Sequence, residues 1–132
     1  MEAWAYDSYC NDNCQNYIDE YGKKDLDKNI WDFLEDNPSE YDFEFVVGLC
    51  IWGIRENITL SKELLRTVRS IIDWLQENGK FKYWKNAELR KQKLKIERNI
   101  INNVLAEKDI KFGKLKNKPK KMENLLKNLS IK

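Results

Sequence analysis

Hydrophobic residues recur at intervals of three and four along most of the chain, which is the spacing of one helical face. The first segment with this spacing contains, in order, Cys10, Cys14, Tyr17, Ile18 and Tyr21. Asn11 or Asp12 is expected to cap this helix, and Gly22 to supply its left-handed stop. A second helix is predicted to begin after Asp25 or Asp27 and to end at Asn37-Pro38, because the residue before a proline disfavours helical geometry.

The stretch YDFEFVVGLCIWGI, residues 41–54, is apolar on nearly every side. In a helix this pattern requires neighbours all round, so it predicts a central helix that begins at a variant capping box formed by Ser39 and Asp42. The alternative is a strand over residues 43–52, because these residues are rich in β-formers. Helix is favoured, since about 15 residues without a turn signal is long for a strand. Gly53 is expected to admit the close approach of another backbone.

Two further helices are predicted towards the carboxyl terminus. The first is capped by Ser61, ends at Asn78-Gly79, and buries Leu64, Leu65, Val68, Ile71, Ile72 and Leu75. The second is capped by Asn86 and runs to about Lys108. Its buried flank is predicted to comprise Leu89, Ile96, Ile100 and Val104, broadened by Leu94, Ile101 and Leu105.

Residues 111–121, KFGKLKNKPKK, lack this periodicity and carry a run of lysines, which is typical of a linker. Pro119 then suits the first turn of a short final helix. The 132 residues are enough for one domain with one modest core. We therefore predict an all-α, single-domain bundle of five to six helices in residues 1–110, followed by a lysine-rich linker and a short C-terminal helix in residues 111–132.

Charge is distributed unevenly along the chain, although the net charge is only +2. Residues 1–79 contain 7 basic and 17 acidic side chains, whereas residues 80–132 contain 17 basic and 5 acidic side chains. Two interpretations follow from this asymmetry. Either the two halves attract each other across an internal interface, or they form two surfaces for two kinds of partner.

The composition argues against several kinds of chemistry. The chain has no histidine, which removes the commonest general base and the usual zinc ligand. Its three cysteines, an odd number, and the absence of a secretory signal pattern favour reduced thiols and a cytoplasmic location. No apolar run approaches the roughly 20 residues that a membrane span needs. We therefore expect no catalytic site, no metal, no cofactor and no membrane insertion.

The N-terminal segment resembles that of a known family. Ala3-Trp4, Tyr9, Asn11-Asp12 and the aromatic Tyr17 are similar to the opening of a bacterial family of unknown function, domain of unknown function 4259, whose members typically begin Met-Gly-Ala-Trp-Gly. The resemblance is confined to residues 1–20 and implies a small, mostly helical domain without an established activity. Independently of it, Trp4 is expected to be buried and to hold the terminus in place.

The acidic half is the favoured candidate for a specific surface. We expect a non-catalytic protein that docks on a basic protein partner, as inhibitors or immunity proteins do, because charge complementarity speeds association and rejects wrong partners. The candidate contact residues are Asp25, Asp27, Asp32, Glu35, Asp36 and Glu40.

The alternative is a nucleic-acid-binding accessory protein that uses the basic half. Aromatic residues interleaved with lysines can stack on bases while neutralising phosphates. The candidate residues are Lys80, Lys82, Trp84, Lys85, Arg90, Lys91, Lys118, Lys120 and Lys121. The pattern leaves the oligomeric state open.

Overall fold

Five α-helices form the part of the chain that the computed structural model describes, residues 12–82 and 84–112. In chain order they are α1 (Asp12–Tyr21), α2 (Leu26–Phe33), α3 (Glu40–Arg55), α4 (Lys62–Asn78) and α5 (Ala87–Phe112). These residues include no strand, so the all-α prediction is confirmed and the strand alternative for residues 43–52 is wrong.

Helix α3 lies at the centre of the bundle and contacts each of the other four helices. Nine of its 16 residues are buried, and they cover most of its circumference. Each fully buried aliphatic or aromatic side chain contributes about 1.5–3 kcal/mol relative to an exposed one. Helices α1, α2 and α4 therefore pack against α3, whereas α5 packs mainly along α4.

Local interactions set the end of α1 and the starts of α3 and α4 where the sequence places them, whereas α2 ends at Phe33, before the predicted end at Asn37-Pro38. The Ser39 hydroxyl accepts a hydrogen bond from the Asp42 amide at 3.3 Å, and the Asp42 carboxylate accepts one from the Ser39 amide at 2.9 Å. The predicted capping box is therefore confirmed. Ser61 caps α4 by accepting from the Leu64 amide at 3.2 Å, and Gly22 follows α1 with a left-handed φ of 60°.

Helix α5 begins as predicted but ends later and buries a different face. The Asn86 side chain accepts hydrogen bonds from the amides of Glu88 and Leu89 at 3.1 and 3.2 Å, and so caps the helix. The helix continues to Phe112, past the predicted end at Lys108 and into the first residues of the predicted linker. The rest of that linker and the final helix lie outside the described residues.

The predicted buried flank of α5 is wrong at two positions. Leu89 and Ile96 are 43% and 51% exposed, whereas the buried face consists of Arg90, Leu94, Glu97, Ile101 and Leu105. This face has the helical spacing of 4, 3, 4 and 4, but two of its positions are charged. Charged residues of α5 were expected to face solvent. The predicted buried face is therefore rotated about the helix axis relative to the observed one.

Gly53 allows the close approach of a side chain from another helix, whereas the close approach of a backbone was expected. A Cβ atom at this position would lie 2.6 Å from Cδ2 of Leu26 and 3.6 Å from Cδ1 of Leu60. Leu26 is the first residue of α2 and is almost fully buried. The glycine therefore allows α2 to lie close against α3.

The predictions for the N-terminal segment, including the burial of Trp4, fall on residues 1–11, outside the described part of the chain. Within that part, none of the helices combines the length and the apolar character needed to cross a membrane.

The capping box yields a stability prediction. Replacing Ser39→Ala removes the acceptor for the Asp42 amide, and we expect unfolding to become easier by about 1 kcal/mol in urea titrations. Ser70→Ala is the matched control, because the Ser70 hydroxyl only bonds back to the Arg66 carbonyl within α4. A loss of the same size in both variants would contradict this role for Ser39.

Candidate functional site

The six carboxylates predicted as a partner-binding surface lie on α2, on the segments that flank it and at the start of α3. Four of them, Asp25, Asp32, Glu35 and Asp36, are exposed. The other two, Asp27 and Glu40, are partly buried. Their burial reflects hydrogen bonds to backbone amides elsewhere in the chain.

Asp27 and Glu40 stabilise connections between helices. The Asp27 carboxylate accepts a hydrogen bond from the Ser61 amide at 2.7 Å and so holds the start of α4. The Glu40 carboxylate accepts hydrogen bonds from the Lys80 amide at 2.9 and 3.1 Å and from the Phe81 amide at 3.0 Å. Phe81 has a left-handed φ of 51°, so Glu40 stabilises the turn that leads to α5. Neither role was predicted from the sequence.

An aromatic cluster that was not expected from the sequence lies on α1, α2 and α3, in the same region of the chain as the four exposed carboxylates. The ring of Tyr17 lies 4.9 Å from the ring of Tyr21 and 6.0 Å from that of Phe33, measured between centroids. Phe33 in turn lies 4.8 Å from Phe45. Tyr21 is 53% exposed and Phe33 is 37% exposed, so α1 and α2 present aromatic surface to solvent.

We call Tyr21, Phe33, Asp25, Asp32, Glu35 and Asp36 the acidic-aromatic surface. Its base is Tyr17, a buried residue whose hydroxyl accepts a hydrogen bond from the Asn29 side chain at 2.8 Å. Burial raises the pKa of Tyr17, and the nearby Tyr21 and Asp25 raise it further. The Tyr17 hydroxyl therefore stays protonated, and the negative charge of the surface comes from its carboxylates.

The candidate nucleic-acid residues divide into an exposed and a buried set. Lys80, Lys82 and Lys85 are exposed. Lys91 is partly exposed, with its ammonium 3.9 Å from the Glu88 carboxylate. In contrast, Trp84 and Arg90 are 6% and 0% exposed. The structure therefore removes these two residues from the predicted contact surface, and Lys118, Lys120 and Lys121 lie outside the described residues.

Arg90 instead lies at the centre of a buried ionic cluster, which we define as Glu44, Trp84, Arg90 and Glu97. The Arg90 guanidinium lies 2.9 Å from the Glu44 carboxylate and 3.0 Å from the Glu97 carboxylate. It also stacks over the Trp84 ring, 4.5 Å from the centroid. The Trp84 indole N–H donates to the second oxygen of Glu44. The cluster joins α3, the segment before α5 and α5 itself.

Two carboxylates share a single guanidinium in this cluster, and their environment affects the pKa of Glu44. Burial raises the pKa of Glu44, and the charge of Glu97 raises it further, while Arg90 and the Trp84 hydrogen bond lower it. The net effect is a raised pKa, because desolvation penalises the charged carboxylate most. Arg90 therefore offsets a large part of the cost of burying Glu44 and Glu97.

An open cleft of about 340 Å³ lies beside the cluster, lined by Ser39, Glu40, Tyr41, Glu44, Lys80 and Lys82. Both carboxylates of the cleft already accept hydrogen bonds. Glu40 accepts from the backbone of the turn that leads to α5, and Glu44 accepts from Trp84 and Arg90. We interpret the cleft as the junction between α3 and the segment before α5. Both carboxylates stabilise this junction through their hydrogen bonds.

The described cysteines, Cys14 and Cys50, are both buried thiols. Burial raises the pKa of Cys50, so it remains a thiol and packs as an apolar side chain. Within residues 12–82 and 84–112, no group of three cysteine, aspartate or glutamate side chains is arranged to bind a metal ion.

Comparison of the chain with protein-family models, with curated proteins and with solved structures gives no match. Arguments about function therefore depend on the geometry and charge of the chain itself.

The buried cluster yields a prediction that separates it from surface ion pairs. Replacing Arg90→Met leaves two carboxylates buried without their shared cation, and we expect a loss of about 3–5 kcal/mol in unfolding free energy at pH 7. Lys91→Met is the matched control, since Lys91 is partly exposed and its ammonium lies 3.9 Å from the Glu88 carboxylate and 5.9 Å from the centroid of the Phe81 ring. We expect its effect to stay within about 0.5 kcal/mol.

The same variant should respond to pH in a defined direction. Without Arg90, both desolvation and mutual repulsion favour protonated carboxyls in the folded state. The folded state then binds protons more tightly than the unfolded chain, so stability should increase as pH falls from neutral towards the ordinary carboxyl pKa of about 4.3. Denaturant midpoints at pH 5 and pH 7 measure this. If Arg90→Met loses the same amount of unfolding free energy relative to the wild type at both pH values, this role of Arg90 is contradicted.

Proposed function

We propose that the chain is a non-catalytic binding protein that docks on a basic protein partner through its acidic-aromatic surface. The observation that carries the proposal is that Tyr21 and Phe33 are large, exposed and packed on a buried aromatic base, and that the segment of the chain beside them contains four exposed carboxylates. Aromatic residues at the centre of a contact and charged residues around them are the usual arrangement of a protein interface.

The two parts of this surface contribute in different ways. The carboxylates attract a basic partner over a distance and therefore affect mainly the association rate. The aromatic side chains lose water only when the complex has formed, so they affect mainly the dissociation rate. Tyr17, Phe33 and Phe45 are packed against one another before binding, which lowers the entropy lost on association.

Nucleic-acid binding through the basic half is the second proposal. It is supported by the exposed lysines Lys80, Lys82 and Lys85, which lie close together before α5. It is weakened by the burial of Trp84 and Arg90, which removes an aromatic and a guanidinium group from the contact. Binding to arbitrary duplex DNA that weakens steeply with added salt would support it.

The main proposal predicts a salt-dependent association rate. A partner is first captured with the wild-type chain from the organism that encodes it, and association is then measured with Asp32→Lys/Glu35→Lys/Asp36→Lys. We expect the association rate constant to fall at least about tenfold at low ionic strength, and the difference to shrink at high salt.

The matched control is Glu56→Lys/Glu77→Lys/Glu107→Lys. These three residues are also exposed and give the same change in net charge, but they lie at the ends of α3, α4 and α5. An equal fall in both triple variants would show that only net charge matters. Unchanged rates in the α2 variant would overturn the proposal.

The aromatic part of the surface predicts a separate kinetic effect. Replacing Tyr21→Ala should raise the dissociation rate constant about 5–30-fold, with little effect on association, because a central aromatic contact is lost. Leu89→Ala is the control, since Leu89 is similarly exposed but lies on α5. Surface plasmon resonance with the captured partner measures both rates, and an unchanged dissociation rate for Tyr21→Ala would contradict this role.

A further inference from the structure

Helix α5 carries a second apolar row beside its buried face. Ile96, Ile100 and Val104 follow one another at intervals of four residues, so they lie along one side of the helix, and we call them the α5 row. Ile96 is 51% exposed. Ile100 and Val104 pack against the core but remain partly exposed. The described part of the bundle therefore covers this row only in part.

The α5 row leads into an open cleft near the end of the helix. The cleft has a volume of about 340 Å³ and lies between the last turns of α5 and the connection from α3 to α4. Its apolar lining consists of Ile54, Ile58, Leu60 and Val104. Because Val104 belongs to both the row and the cleft, the two form one continuous apolar surface. Covering this surface with apolar side chains would be favourable.

The chain itself continues from this end of the surface. Helix α5 ends at Phe112, and residues 113–132 follow it. Gly113 comes directly after the last helical residue, where glycine commonly ends a helix. Pro119 suits the first turn of the next helix. The residues between them, 113–118, have the usual length of a connection between two packed helices.

The predicted final helix matches the surface in pattern and in length. Its apolar residues are Met122, Leu125, Leu126 and Leu129, at the spacing of one helical face. At 1.5 Å per residue, this face is about 10 Å long, and the α5 row is about 12 Å long. Lys120 and Lys127 fall on the opposite side of the same helix. The apolar face can therefore be buried while the lysines stay in water.

We propose that residues 119–131 form a helix that docks antiparallel to α5, with Met122 over the cleft and Leu129 over the α5 row. The connection over residues 113–118 holds this segment at an effective concentration of about 1 mM near the surface. A separate molecule would have to reach a similar concentration to compete, so the chain's own segment is the occupant. The inference is independent of the proposed function, because it does not use the acidic-aromatic surface.

Hydrogen exchange of the full-length chain tests this docking. We expect the amides of residues 122–131 to exchange at least about tenfold more slowly than in a free peptide of residues 113–132. Ile100→Ser/Val104→Ser should remove this protection, although the sequence of the docked segment is unchanged. Leu89→Ser/Ala106→Ser is the control, since it also introduces two serines into α5, at exposed positions outside the row. The control should keep the protection.

A disulfide measurement keeps the proposal testable if the serine variant folds poorly. In a Cys10→Ser background, Ile100→Cys is combined with Leu126→Cys or with Leu129→Cys. A disulfide requires Cα atoms within about 4.4–6.8 Å. We therefore expect at least one of these pairs to close within one chain under mild oxidation. Ala106→Cys in place of Ile100→Cys should close at least about tenfold more slowly, because Ala106 lies outside the row.

Four outcomes would overturn the proposal. The first is exchange of residues 122–131 as fast as in the free peptide, and the second is full protection in Ile100→Ser/Val104→Ser. The third is equally fast disulfide formation from Ala106→Cys and Ile100→Cys, which would indicate a segment without a fixed position. The fourth is disulfides that join two chains instead of closing within one. None of these outcomes bears on the acidic-aromatic surface, whose role is measured with the captured partner.

Discussion

The sharing of one buried guanidinium between two buried carboxylates is the constraint that fixes the rest of the bundle. Helix α3 is apolar on all sides, so hydrophobic packing alone allows its neighbours several registers. Arg90 must lie between Glu44 of α3 and Glu97 of its own helix, at 2.9 and 3.0 Å. A shift of α5 by one residue would leave these charges buried and unpaired, which costs far more than a loss of apolar contact.

The register of α5 also decides which of its residues face solvent. With Arg90 and Glu97 directed inward, Leu94, Ile101 and Leu105 follow them into the core. Leu89 directly precedes Arg90, and Ile96 directly precedes Glu97. Because neighbouring residues of a helix point in different directions, Leu89 and Ile96 face solvent. The exposed apolar residues of α5 are therefore a consequence of the buried ionic cluster, and so is the difference between the predicted and the observed buried face.

Local features of this fold could be predicted from the sequence, and non-local features could not. The cap residues Ser39, Ser61 and Asn86 act within three positions of themselves, so their effect is visible in the sequence. The partners of Glu40 and Glu44 lie 40 or more positions away. Both glutamates look like ordinary charged residues until the bundle is assembled. The aromatic part of the candidate surface was missed for the same reason, since Phe33 reaches the Tyr17 ring, on which Tyr21 also packs, only when α1 and α2 pack on α3.

The interpretation of the uneven charge distribution as internal attraction applies to one part of the molecule, and the interpretation as partner surfaces stays a prediction for another part. The ion pairs Glu44–Arg90 and Asp73–Arg98 join the acidic half to the basic half, and their carboxylates come from α3 and α4. The carboxylates of α2 and its flanking segments lie on helices that pack on α3 away from the main contact of α5 with α4. Internal attraction therefore stabilises the part of the bundle formed by α3, α4 and α5. The carboxylates in and around α2 remain at the surface, where their charge acts on approaching molecules. Since like charges gathered in one exposed segment of the chain oppose folding slightly, the exposed carboxylates in and around α2 are better explained by the proposed role in binding than by a role in stability.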